Sequence, residues 1–166
     1  MDIISHGIWA GLAAKTVNKK IRRPLNLRLA FFFGVFPDIF AFSLPFIFLL
    51  WNLIFKRANV FDLKHSHSME GMPQDSISFN NLTFNLYQLS HSLIIFILVF
   101  FLVFLFLKRP VFEMLGWFLH ILIDIPTHTY KFFPTPFLWP ISDFKISGFF
   151  WGTPWFIVVN YGMIII

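Results

Sequence analysis

Cysteine is absent from the 166 residues, which excludes disulfides and thiolate metal sites and leaves the redox compartment unread. Charge is scarce. Asp, Glu, Lys and Arg make up 13% of the chain, about half of the ~25% carried by a soluble domain. Also missing are a Gly-rich phosphate loop, a Gly-x-Ser-x-Gly elbow and a His-Glu-x-x-His pair, so the chemistries that depend on those motifs have no footing. The start of the chain does not read as a signal peptide, because its apolar stretch precedes the basic run instead of following it.

What is abundant is apolar. Hydrophobic residues are 57% and aromatic ones 21% of the chain, with a mean hydropathy of +0.72. Such a chain cannot cover its own surface with polar groups, so lipid is expected to be part of its solvent. The length suits one domain, residues 1–166. The formal charge of +5 fits cytoplasmic loops facing anionic lipid; the basic run lacks the fold context of a nucleic-acid binder, and no nucleic-acid partner is expected.

The pattern predicts an all-α, polytopic membrane bundle with short and broken helices, multi-pass in a cell (inner) membrane. Residues 3–14 read as a short helix and 15–28 as a basic loop. Residues 29–55 form a long apolar run, expected to break at Pro37-Asp38 and again at Pro45. Residues 56–89 read as a polar loop. Residues 90–107 are the clearest span, close to the ~20 residues required. A basic turn, Lys108-Arg109-Pro110, leads to a helix over 111–125. An aromatic, Pro-rich loop covers 126–148, and 154–166 are apolar but short for a span. Placing 15–28 and 108–109 inside puts eight basic residues there against five outside. That bias sets the N-terminus and the two long polar loops outside. His6, Asp38, His91, His120, Asp124 and His128 then fall at one depth near the outer interface.

Ionisable residues in apolar helices are costly, usually paired and usually functional. The strongest local pattern is Trp117-Phe-Leu-His120-Ile-Leu-Ile-Asp124-Ile-Pro-Thr-His128. His120 and Asp124 are four apart and share a helix face, an imidazole and a carboxylate that make half a divalent-metal site. The competing reading is a hydrogen-bonded pair that only joins helices. His128 extends the face if the helix survives Pro126. Asp38 needs a cation, a metal or a proton at its depth, or else caps the following helix. His91 and His6 are weaker alone and gain from their shared depth. His65, His67 and Glu70 lie in a polar loop and read as chance neighbours. For Glu113 a favourable helix-dipole position suffices. Trp139, Trp151 and Trp155 fit an interfacial aromatic belt.

In order along the chain, Ser5-His6-Gly7, Pro37-Asp38-Ile39 after the run 29–36, His91-Ser92-Leu93, Leu115-Gly116-Trp117-Phe118-Leu119-His120-Ile121-Leu122-Ile123-Asp124 and Phe137-Leu138-Trp139-Pro140 form a set of blocks. This set resembles the bacterial and archaeal inner-membrane metal-dependent hydrolases, a family also described as LexA-binding, inner-membrane-associated hydrolases. The resemblance implies a site at His6, Asp38, His91, His120 and Asp124. More loosely, it implies similarity to zinc-dependent phospholipase C, with zinc and phosphoester chemistry. Two departures stand out: Phe40 replaces the second carboxylate of Pro-Asp-Ile-Asp, and Tyr87-Gln-Leu-Ser-His91-Ser92 keeps only the second His of its block. His128 would compensate as a ligand.

The expected function is therefore a metal-dependent hydrolase acting on an amphiphilic or phosphoester substrate near the outer interface. His120, Asp124 and His91 would hold a divalent ion, most simply Zn2+, completed by His6, Asp38 and His128. Asp38 or Asp124 would serve as general base. A non-catalytic membrane protein with a structural metal or a His/Asp polar core is the alternative. An ion transporter is a third reading, disfavoured by few spans and no inverted repeat.

Overall fold

The computed structural model describes residues 1–55 and 77–165, with the side chains of 44–46, 48, 49, 52, 53 and 77–81 left aside. Among the described residues the chain is helical and forms no strand; Thr129 and Phe132 make an isolated bridge. The helices are α1 (Ile3–Asn18), α2 (Leu27–Phe55), α3 (Ile77–Ser90), α4 (Leu93–Leu107), a 3-10 turn (Phe112–Met114), α5 (Leu115–Thr127) and α6 (Pro154–Ile165).

Each boundary has a local cause. Asp2 caps α1 by accepting from the Ser5 backbone N–H at 2.9 Å and from its hydroxyl at 2.6 Å. Asn18 then clamps the turn, bonding both the N–H and the carbonyl of Leu25. Asn26 caps α2 through Arg28 N–H and Leu29 N–H, and its own N–H donates to Glu113 at 3.0 Å. Glu113 thus serves the start of a different helix. Ser92 caps α4 through the N–H groups of Ile94 and Ile95. Lys108, in the left-handed region at φ 55°, ends α4 ahead of Pro110, where no further helical turn can follow.

Three expectations are corrected. The run after residue 28 does not break at Pro37 or Pro45. One 29-residue helix passes through both, because a proline removes a single backbone bond, which the packing of a long apolar helix outweighs. Asp38 is therefore mid-helix and caps nothing. The polar segment before residue 90 is not all loop, since α3 occupies its end. The expected span at 90–107 opens on a break: residues 93–107 form one helix, and Leu82–Ser90 meets it at 65°. By length and composition this bent pair can cross a membrane, whereas no single helix among the described residues is long and apolar enough. His65, His67 and Glu70 lie outside the described residues.

The site is positioned where α1, α2 and α5 cross. A methyl on Gly34 would sit 2.7 Å from both Ala10 Cβ and the His6 carbonyl, and one on Gly116 would overlap the Ala30 carbonyl. These two glycines let three backbones touch. Beside the crossing, Phe96, Met114, Trp117 and Ile121 form the apolar core, flanked by Phe33, Phe36 and Phe118. α6 docks on α1 by a polar contact: Trp9 Nε1 donates to Asn160 Oδ1 at 2.8 Å, and Asn160 Nδ2 donates to Ser5 Oγ at 2.9 Å. Outside, α4 buries only Phe96 and exposes Ile97, Leu98, Phe101, Leu102 and Phe106.

Candidate metal centre

Asp38 from α2, His91 from the α3–α4 break, and His120 and Asp124 from α5 converge in the interior. One ligand atom from each lies within 4.8 Å of all the others, and all four residues are buried. His91 Nε2 is 3.1 Å from His120 Nε2, 3.5 Å from Asp38 Oδ1 and 3.5 Å from Asp124 Oδ2. His120 Nε2 is 3.7 Å from Asp38 Oδ1 and 3.1 Å from Asp124 Oδ2.

The surroundings decide which ring nitrogens carry protons. His120 Nδ1 lies 2.7 Å from the Gly34 carbonyl, which can only accept, so Nδ1 holds the hydrogen. His91 Nδ1 lies 3.2 Å from the Tyr87 carbonyl and 2.9 Å from Ser90 Oγ. Ser90 in turn donates to that carbonyl, so this Nδ1 is also the donor. The Tyr87 hydroxyl spends its hydrogen on the Phe133 carbonyl at 2.8 Å and faces His128 Nδ1 at 3.0 Å, which makes His128 Nδ1 a donor as well. A neutral imidazole that donates from Nδ1 leaves Nε2 bare. All three rings thus turn an outer nitrogen towards a fixed acceptor and an inner lone pair towards the aspartates, the arrangement by which outer partners orient metal-binding histidines.

Four acceptor atoms facing one another without a donor repel. The 3.1 Å contact between His91 and His120 is close for two bare nitrogens; a proton on one ring, or a cation held among the four atoms, relieves it. Asp124 Oδ2 is buried without a hydrogen-bond partner, as four facing acceptors demand. Asp38, His91, His120 and Asp124 together form a buried group able to hold a metal ion.

His6 and His128 are placed beside this set, around the other oxygen of Asp124. His6 Nε2 stands 2.9 Å from Asp124 Oδ1 and His128 Nε2 3.7 Å from it. The His6 contact is close but misaligned for a hydrogen bond, and both His6 nitrogens are buried without a partner. The His6 ring stacks on His120 with centroids 3.7 Å apart. The Met1 ammonium donates to Asp124 Oδ1 at 2.7 Å and lies 3.4 Å from His128 Nε2. Helix α5 passes through Pro126, ends at Thr127, and leaves His128 as its C-cap, with its N–H on the Asp124 carbonyl. The face shared by His120 and Asp124 is therefore continued by one further residue.

His91 owes its position to the break. Trp117 Nε1 donates to the Ser90 carbonyl at 2.6 Å. The Leu93 N–H donates to the Phe137 carbonyl at 3.0 Å, and Ser92 Oγ donates to the Trp139 carbonyl. These bonds satisfy backbone groups that a broken helix would strand. At the edge of the site, Asp2 is held below the usual carboxylate range. Burial works against ionisation there, but the side-chain and backbone hydrogen bonds from Ser5 outweigh it.

The sequence pattern did not single out Met1, Tyr87, Ser90, Gly34 or Asn160. Tyr87 and Ser90 carried a readable signal: with Thr83 they fall at i, i+4 and i+7, and all three are buried. Gly34 contributes its carbonyl, which no residue-type pattern reveals. No protein family, no curated protein and no solved structure was found to match the chain.

Proposed function

We propose that the chain is a membrane-embedded, metal-dependent hydrolase acting on phosphoester or lipid-like substrates, as the resemblance of its sequence blocks implies. One observation carries the reading: four bare acceptor atoms, two nitrogens and two carboxylate oxygens, face a common point. A tetrahedral zinc ion with ligands at ~2.0–2.2 Å sets its ligand atoms ~3.3–3.6 Å apart. Five of the six pairs among these atoms are 3.1 to 3.7 Å apart, and one ligand atom from each residue lies within 4.8 Å of the others. Zn2+ is accordingly the ion of choice, since imidazole with carboxylate suits it.

A bound ion supplies Lewis-acid chemistry by polarising an oxygen that reaches it. The other roles fall to the chain. His91 and His120 provide neutral nitrogens held by carbonyls and hydroxyls. Asp124 offers Oδ2 to the ion while Oδ1 stays with His6 and Met1. Asp38 has the most exposed side chain of the four, at 8%. It is the carboxylate placed to release and take a proton from water as general base. Membrane residence belongs to the same reading: contiguous exposed apolar side chains on α4 call for lipid or a partner, and an amphiphilic substrate would approach from that surface.

A second reading has its own support. His91, His120 and Asp124 are at most 1% exposed, and four protein donors leave no open position, the mark of a structural metal centre. Elemental mass spectrometry of the detergent-purified protein, beside His120→Ala and Asp124→Ala, tests both readings. About one zinc or other divalent ion per chain, lost in both variants, is expected for either reading. Turnover of a chromogenic phosphodiester by the loaded wild type, but not by Asp38→Asn carrying the same amount of metal, selects the hydrolase. A loaded, inert protein selects the structural centre, and a folded protein that binds no metal even after reconstitution removes both.

A further inference from the structure

Between the C-terminal part of α1 and the first turns of α2 lies an open groove of about 440 Å3, lined by Ile8, Gly11, Leu12, Lys15, Leu27, Arg28 and Phe31. Its volume falls within the ~300–1,000 Å3 of sites that hold small molecules. Ile8, Gly11, Leu12 and Lys15 are at i, i+3, i+4 and i+7, one face of α1. Gly11 forms the floor, with no atom within 4 Å of where a side chain would begin. The walls are aliphatic and aromatic, and the charged groups of the lining are Lys15 and Arg28. Both lie at the same end, because α1 finishes where α2 starts. Ile8 is ~10 Å from Lys15 along the helix axis. The groove is thus a shallow trough with a cationic end and an apolar length.

The chain around that end adds to the positive charge. Lys19, Lys20, Arg22 and Arg23 are all exposed in and beside the connection from α1 to α2. Glu113, whose carboxylate accepts from the Asn26 N–H, places one negative charge there, so the six cations of this end leave it strongly positive. None of these cations has a role in the metal centre, which lies where the other half of α1 meets α5.

We propose that this groove binds one anionic phospholipid of the surrounding leaflet, its phosphate between Lys15 and Arg28 and an acyl chain laid over Gly11 towards Ile8 and Phe31. Charge complementarity selects the headgroup. A membrane-facing cleft between helices that ends in basic residues is the usual form of such a site. The inference rests on the membrane residence proposed above, and it concerns a bound lipid held apart from any substrate.

Native mass spectrometry of the detergent-purified chain, offered equal phosphatidylglycerol and phosphatidylcholine, tests the inference. The wild type should retain one phosphatidylglycerol in preference to phosphatidylcholine. Lys15→Gln with Arg28→Gln should lower that preference about tenfold to thirtyfold, the worth of two cations near a charged lipid surface. Gly11→Leu, which fills the floor and leaves every charge in place, should lower retention of both lipids. The equally basic pair Lys108 and Arg109, replaced by Gln, should leave retention unchanged. Helical circular dichroism of each variant confirms that it is folded. The groove is overturned if the 108/109 pair matters as much as 15/28, or if Gly11→Leu has no effect. A chain that inserts into vesicles without preferring phosphatidylglycerol also overturns the groove, yet leaves membrane residence standing. A chain that stays monodisperse without detergent and retains no lipid removes both.

Discussion

Helices α3 and α4 are consecutive, separated by two residues, and built in opposite ways. α3 buries Thr83, Tyr87 and Ser90 while exposing Leu82 and Phe84; α4 has an entirely apolar sequence and buries Phe96 alone. In water both choices would be unfavourable, because hydroxyls would be enclosed and phenylalanines wetted. They make sense together if the interior is organised around polar ligands and the exterior faces hydrocarbon. The hydroxyl face of α3 is what aims His91 and His128, and the apolar girth of α4 carries no ligand and holds the pair in its surroundings. Around the α3–α4 break, polarity marks the inside.

The contrast can be broken from either side. The largest effect is expected from the interior: Asp124→Ala removes the carboxylate that neutralises Met1 and faces four histidines, leaving charge uncompensated at a cost of ~3–5 kcal/mol. Thermal unfolding in detergent should show a collapse of the melting temperature together with loss of bound metal. On the exterior, Phe101→Asp on exposed α4 should cost ~2.5–3.5 kcal/mol if that face meets lipid, read as reduced insertion into vesicles. A change within ~0.5 kcal/mol, normal for a water-facing position, would remove the lipid reading of α4. The join between the two helices is next. Trp117→Phe leaves the buried Ser90 carbonyl without its donor, a loss of ~1–3 kcal/mol. It should weaken metal retention as well as stability, because His91 is the residue that shifts.

The smallest effect lies at the rim. Asp2→Ala removes the α1 cap, worth ~1 kcal/mol at neutral pH. The carboxyl of Asp2 is held below its usual range in the folded chain. Its contribution is therefore whole above the unfolded carboxylate pKa and fades as pH falls through the folded value. Melting curves of the wild type and Asp2→Ala should separate near neutrality and converge in acid.

The interior was legible in the sequence to an uneven degree. His120 and Asp124 stood out because an ionisable pair at helical spacing is too costly in an apolar run to be incidental. Asp38 was visible for the same reason, although its proline suggested a helix end where the chain continues. His91 and His6 were weak signals alone, and only their shared depth linked them to the rest. α3 was invisible because hydrophobic periodicity assumes that the apolar face is the buried one; its buried face carries hydroxyls, so the pattern pointed outward. Asn160 lay in a tail read as apolar throughout, and its contacts to Trp9 and Ser5 are long-range. The bend at residues 90–92 could not be read either, since the approach to the span was expected to be loop and the span itself to start at residue 90.

Gly34 has a consequence beyond packing. The residue that lets α1 and α2 touch is the same one whose carbonyl holds the His120 ring. The gap between backbones and the reach of the imidazole are therefore set by a single position, which works as a caliper. A chain carrying Gly34→Ala would keep every donor atom and still measure the wrong width, so any metal affinity of the centre should fall although no ligand is lost. Under the metal-centre proposal, the fit of an ion depends on the spacing of main chains, where no inventory of histidines and aspartates records it.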